Sequence, residues 1–397
     1  MKTSFPGWCR RLSAAAAALG LGCTAGCGQT NGPVPAVSVR VRPPAVAGGF
    51  YPASREDLQA EVQKCLRDAK PTEAGGGLRA AVVPHAGYVY SGRCAGSAYR
   101  LLKAKQFSRV IILGPSHHAA FAGIALPPLD VSAYRTPLGD VPVAQSVCRE
   151  LAKTPGFAVM PDVDTREHSI EVELPFLQET LGGGFELVPL ICGGISREQI
   201  GEFAKALAPF VERSTLVLAS SDFTHYGPNY GYLPFDKDVP ENLHRWLKDS
   251  SGMVAALDID GFLGHCNQTG DTICGERPIL VLMATIKASG IAVKGQVLDT
   301  YTSGDVVGDH RNSVSYAAVG FFATDTAAPG SPPAAAGLAK SNETERTHDM
   351  KPVIDGAKKE PFNVSEANRK TLLSLARRSI EDHLKGARGK APEISDP

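Results

Sequence analysis

Across its 397 residues this sequence has no excess of charge, because 41 lysines and arginines are balanced by 41 aspartates and glutamates. A chain without net charge lacks the broad positive field that draws proteins onto nucleic acid, so no nucleic acid is expected among its partners. Regular cysteine spacing is missing as well. Beyond the amino-terminal region, Cys65, Cys94, Cys148, Cys192, Cys266 and Cys274 follow no disulfide-framework pattern, although Cys266 and Cys274 could pair in an oxidising compartment. The apolar stretch from Leu12 to Gly22 is too short for a permanent transmembrane helix. Gly75-Gly76-Gly77 precedes a strand-like run instead of following one, which makes it a loop and not a phosphate cradle.

What is present divides the chain into unlike parts. Residues 1–27 read as a signal segment, with Lys2, Arg10 and Arg11 ahead of the apolar stretch. Small residues stand before both Cys23 and Cys27, as in the lipobox of bacterial lipoproteins, and Cys27 has the better context. The expectation is a membrane-anchored lipoprotein or a periplasmic protein, touching the membrane only through a lipid anchor; the alternative is a cytoplasmic protein. Residues 28–41 form a proline-rich tether. Residues 324–361 are rich in Ala, Pro, Gly, Ser and Thr without apolar periodicity, the composition of a disordered linker. In residues 362–397, Leu372, Leu373, Ala376, Ile380 and Leu384 share one stripe of a helix that needs a covering partner.

The middle, residues 42–323, alternates strand-like runs with helical stretches. Strands are expected at 80–84, 110–113, 187–191 and 216–220, with later ones at 293–301 and 314–322. Helices are expected at 54–69, 92–103, 143–153, 169–181, 197–212, 252–262 and 277–288. Strands separated by helices predict an α/β fold with a mostly parallel mixed sheet and helices on both faces.

Three of those runs end in residues able to do chemistry. Ala80-Ala81-Val82-Val83-Pro84 leads to His85, Val110-Ile111-Ile112-Leu113-Gly114-Pro115-Ser116 leads to His117, and Leu216 to Ser220 leads to Ser221-Asp222-Phe223-Thr224-His225. Open α/β sheets build their sites just beyond the carboxyl ends of strands, so three such ends predict one pocket. A single histidine taken alone more often packs in a satisfied core. His118 follows His117 on an extended segment and points to the other side, which argues against a ligand role. His168 with Glu171 and Glu173 reads first as the start of a helix, with Pro175 near its first turn, and second as a metal or acid/base cluster.

Six motifs stand in an order that resembles the Memo family, whose prokaryotic members carry the label AmmeMemoRadiSam system protein B. They are Gly49-Phe50-Tyr51-Pro52, Pro84-His85-Ala86-Gly87-Tyr88, Leu113-Gly114-Pro115-Ser116-His117-His118, His168-Ser169-Ile170-Glu171, Ser220-Ser221-Asp222-Phe223 and Thr272-Ile273-Cys274-Gly275. Phe50 stands where many relatives have Trp. The resemblance implies a fold similar to class III extradiol dioxygenases of the LigB type. It also implies a metal site made of His85, His117 and Cys274, with Asp222 and His225 beside it tuning protonation. Residues 362–386 resemble the opening helix of an AMMECR domain, which implies AMMECR-domain and radical SAM proteins as partners.

Two imidazoles and a thiolate leave an open coordination position and suit Fe(II), Zn(II) or copper. Dioxygenases of the related fold use iron, which makes iron the first expectation and zinc or copper the others. Three classes of function stay open. The first is an iron-dependent oxidoreductase with a dioxygenase-like site acting on a small molecule; the second is a non-catalytic module for peptides or phosphorylated ligands. The third is a metal-delivery or assembly factor partnered with an AMMECR protein.

Overall fold

A computed structural model describes residues 40–324, Ala74 excepted. The expected signal segment, nearly all of the tether, the linker and the terminal helix lie outside the described residues. Among the described residues there are twelve strands: β1 (Arg40–Arg42), β2 (Leu78–Val83), β3 (Arg109–Pro115), β4 (Ile124–Leu126), β5 (Val131–Thr136), β6 (Gly139–Pro142), β7 (Phe157–Val159), β8 (Glu186–Cys192), β9 (Thr215–Ser220), β10 (His225–Tyr226), β11 (Val293–Thr302) and β12 (Ser313–Ala323). The helices are α1 (Arg55–Asp68), α2 (Tyr88–Tyr99), α3 (Gln145–Leu151), α4 (Pro161–Asp164), α5 (Leu174–Leu181), α6 (Arg197–Leu207), α7 (Val239–Ala255), α8 (Ile259–Thr269), α9 (Glu276–Ser289) and α10 (Ser303–Val307).

One large mixed sheet carries the fold, in the order β10-β12-β2-β9-β3-β8-β4-β7 with β11 on β12, and helices flank it. Its four middle strands, β2, β9, β3 and β8, run parallel. They are almost wholly buried, as continuous apolar runs in the centre of an α/β sheet must be. The late strands join antiparallel, β11 on β12 and β12 on β2, so the parallel character belongs to the centre and to the short β4–β7 pair. A second, three-stranded sheet, β1-β5-β6, holds the start of the described chain.

Helix ends follow ordinary capping chemistry. Ser54 accepts from the backbone N–H of Asp57 at the start of α1, and Ser196 with Gln199 forms a reciprocal capping box at α6. One expected helix is overturned: 252–262 is not a single element. α7 ends at Ala255, Leu257 takes the left-handed conformation at φ 55°, and Asp258 caps α8 by accepting from Gly261. No helix among the described residues is long and apolar enough to cross a membrane.

Candidate metal centre

Neighbouring parallel strands finish at the same edge of a sheet, and β2, β9 and β3 are neighbours. Their continuations therefore deliver His85, Asp222 and His117 to one place. Pro84 lacks the N–H that would prolong the ladder beyond β2, so the chain turns away at His85. Oδ1 of Asp222 receives that turn, accepting from the backbone N–H of His85 at 2.9 Å and of Ala86 at 3.3 Å. Burial lifts the Asp222 carboxyl to about 7, with these backbone donors pulling the other way.

The hydrogen bonds around His85 settle which nitrogen is free. Nδ1 lies 2.7 Å from Oγ of Ser220, and that hydroxyl sits 2.6 Å from the carbonyl of Ser169, which can only accept. Ser220 thus gives its proton to the carbonyl and accepts from Nδ1, leaving a lone pair on Nε2. Sγ of Cys274 is 3.2 Å from that nitrogen. Cys274 reaches this position because Gly275 follows it: a Cβ at 275 would stand 2.3 Å from Cβ of Ser221. Cys266 and Cys274 are both free thiols. Burial, followed by the nearby Asp222 carboxylate, pushes the Cys274 thiol well above the usual range, so it keeps its proton until a cation displaces it.

His117 is oriented by Glu167. The carboxylate accepts from Nδ1 at 2.9 Å through Oε1 and from the His117 backbone N–H at 2.7 Å through Oε2. Burial would raise its pKa, but donation from His117 and the adjoining imidazoles outweigh that and hold it at about 2. Glu167 also collects the backbone N–H groups of His168 and Ser169, both at 2.9 Å. The donor atoms of His85, His117 and His168 consequently all lie within 4.8 Å of one another. Burial and the mutual repulsion of the rings depress His85 well below its ordinary value and His168 to about 3, which keeps both in the neutral form that binds metal.

The five residues expected from sequence divide by role. His85 and His117 present imidazoles to each other, with ring centroids 5.1 Å apart, and Cys274 touches His85. Asp222 pins the His85 backbone. His225 stands to the side, its backbone N–H and Nδ1 bound to Thr272 at 2.8 and 3.0 Å and its ring 5.2 Å from that of Tyr230. Chiefly through burial, its pKa too is lowered.

His168 departs from the first reading of its motif. It stacks on His117 with centroids 4.5 Å apart and packs on Phe50 at 4.6 Å. Its neighbours Glu171 and Glu173 do open a helix, as a short 3-10 turn running into α5 with Pro175 at its start, and are satisfied by tertiary partners, while His168 itself precedes that turn and joins the imidazole cluster. Glu167 is not singled out by the motif spacing; its only sequence signal is a carboxylate directly before His168. His118 stays outside the group, 6.1 Å from His168.

A separate cleft of about 490 Å³ is lined by residues such as Arg55, Gln59, Asp140 and Glu179, and none of the clustered histidines borders it. Donor chemistry, and not cavity size, locates the site.

The Memo-like protein family model matches residues 42–320. This chain belongs to the Memo family. Protein MEMO1 of Danio rerio is 35% identical to it over 283 residues, covering 68% of this chain and 94% of that protein. A MEMO1 family protein of Methanopyrus kandleri is 36% identical over 295 residues, covering 70% of this chain and 98% of the relative. Another from Nitrosopumilus maritimus is 32% identical over 288 residues, covering 71% and 100%. Among solved structures, an uncharacterized Escherichia coli K12 protein is similar at a TM-score of 0.37 and 14% identity, over 61% of this chain and 99% of that one, too slight a likeness to support a comparison of sites.

Proposed function

We propose that this Memo-family protein is a metal-dependent oxidoreductase in which His85, His117 and Cys274 hold iron beside a bound small aromatic or phenolic molecule. The observation that carries the reading is the convergence of lone pairs: Nε2 of His85 and Sγ of Cys274 stand 3.2 Å apart, and the ligand atoms of His85, His117 and His168 lie within 4.8 Å of one another. Donors around a single ion are separated by roughly 3–4 Å, so small rotamer changes suffice to close the cage. His168 brings a third imidazole within reach of the same ion.

Iron bound there would supply a redox-active Lewis acid with an open coordination position. The chain's own residues supply the remainder. Ser220 and Glu167 fix the imidazoles by their Nδ1 atoms, as outer partners of metal-binding histidines do. His225 donates Nδ1–H to the Thr272 carbonyl, which leaves its Nε2 to take or give a proton at a ligand hydroxyl. Phe50 and Tyr230 add aromatic surface against His168 and His225.

The test is elemental analysis of anaerobically purified protein, together with oxygen uptake in the presence of catechol. About one iron per chain is expected, lost in His117→Ala and in Cys274→Ala, with oxygen uptake lost alongside it. Metal content unchanged by Cys274→Ala would remove the sulfur from the site. Iron bound without any oxygen uptake would favour a non-catalytic ligand-binding module. Export with lipidation at Cys27 or Cys23 is proposed alongside it, and mass spectrometry of the mature amino terminus distinguishes a diacylglyceryl cysteine from simple cleavage and from an intact Met1.

A further inference from the structure

A second group of metal-ligating side chains shares no residue with the centre above. His244 on α7, Asp305 on α10 and His310 in the loop after α10 each offer one ligand atom, and these atoms lie within 4.8 Å of one another. Nε2 of His244 is 3.1 Å from Oδ1 and 3.0 Å from Oδ2 of Asp305, while Nε2 of His310 is 3.3 Å from Oδ1. Both imidazoles turn the same kind of nitrogen toward one carboxylate.

Several observations set this apart from an ordinary histidine–carboxylate contact. Nε2 of His310 is buried and has no hydrogen-bond partner: it lies 3.3 Å from Oδ1 but off the line that an N–H donor needs. A polar atom buried in that way is destabilising unless something else satisfies it. A cation in the space between the three groups would do so. The His310 ring is also fixed in place, for it lies against the backbone of Gly304, where a Cβ would stand 2.3 Å from the ring carbon Cδ2. Asp305 is fixed through the α10 capping box, Oδ2 accepting from the Thr302 backbone N–H at 2.8 Å and from its hydroxyl at 3.1 Å.

We propose that His244, Asp305 and His310 form a second divalent-cation site, suited to Zn(II) or a similar borderline ion. Two imidazoles and one carboxylate are a common donor set for such ions, with metal–ligand distances of about 2.0–2.2 Å and donors therefore roughly 3.3 Å apart. The observed contacts of 3.0–3.3 Å already have that spacing. The side chains are 41%, 31% and 20% exposed in chain order, which leaves room for water in the remaining coordination positions. No sulfur takes part, so this site is harder than one containing Cys274 and separates from it in metal preference.

The experiment uses the full chain, stripped of metal, in a His117→Ala/Cys274→Ala background that disables the first centre. Zn(II) is titrated by calorimetry and Co(II) by visible absorption. The background protein is expected to bind about one Zn(II) and to give a Co(II) spectrum with d–d bands but without a thiolate charge-transfer band. Adding His310→Gln should weaken Zn(II) at least about tenfold, the lower end of what loss of even an outer partner costs a metal site. Zn(II) should raise the melting temperature of the background protein and not that of the added variant. Should His310→Gln fail to fold, His244→Gln, at the most exposed of the three positions, gives the same reading. The proposal is overturned if the background protein binds no Zn(II), or binds it equally with and without these histidines.

Discussion

Glu167 grips His117 twice, once at the ring and once at the backbone, with Nδ1 donating at 2.9 Å and the main-chain N–H at 2.7 Å. A carboxylate held ionised can only accept, so Nδ1 must carry the ring proton and Nε2 the lone pair. The tautomer of a prospective metal ligand is thereby set by a residue outside the group of candidate ligands. Glu167→Gln keeps an acceptor oxygen but loses the charge and frees the ring to flip. Metal affinity, measured by competition with a chromophoric chelator, should fall roughly 10–100-fold while the fold is retained.

The loop that carries Glu167 is anchored by Arg42, 125 residues earlier in the chain. Nη1 of Arg42 pairs with Oε2 of Glu171 at 2.7 Å, and other guanidinium nitrogens donate to the carbonyls of Asp164 and Glu167. Both partners are buried, so Arg42→Ala strands a carboxylate in the interior. Unfolding free energy from urea titration should drop by about 3–5 kcal/mol. Arg42→Lys should recover little of it, because a single ammonium cannot address three acceptors in the plane of a fork. Full stability in either variant would mean that Glu171 finds another partner.

Asp222 offers a sharper division between holding the site and using it. Its Oδ1 accepts two backbone N–H groups from the His85 turn. An amide at 222 preserves both acceptances and cannot exchange a proton. Asp222→Asn should therefore retain iron while oxygen uptake with catechol slows about 100-fold, the low end of general acid/base contributions. Equal loss of metal and activity would make Asp222 a purely structural residue.

The legible parts of this molecule are those whose physics is local. β2, β3, β8 and β9 are continuous apolar runs because both their faces are covered, and the His and Asp endings of β2, β3 and β9 follow from strand direction alone. β4 and β7, at three residues each, carry too little periodicity to register and exist through pairing with β8 and each other. The break between α7 and α8 falls on Leu257, an apolar residue in a left-handed conformation, so the hydrophobic pattern runs straight across it; Asp258 was the cap that marked the boundary. His168 and Glu167 were obscured for another reason. Their roles depend on Ser169 meeting the end of β3, where its hydroxyl donates to the Pro115 carbonyl, and no spacing rule encodes that approach.

Glu173 ties stability to pH. It is buried, accepting from the Tyr99 hydroxyl at 2.7 Å and lying 2.9 Å from Oγ of Ser220, through which it connects to His85. Burial raises its pKa to about 8, with those two hydrogen bonds offsetting only part of the effect. In the unfolded chain a glutamate titrates near ~4.3. Between those values the folded protein holds a proton that the unfolded chain has released, so the stability due to this group is greatest at low pH and is lost as pH rises toward 8. The limiting slope is about 1.4 kcal/mol per pH unit. Urea titrations of metal-free protein between about pH 5 and 8 should show a falling midpoint that Glu173→Gln flattens, since an amide has no proton to lose. An unchanged slope in that variant would mean that Glu173 is already ionised in the fold, with Tyr99 and Ser220 supplying more stabilisation to the anion than its burial takes away.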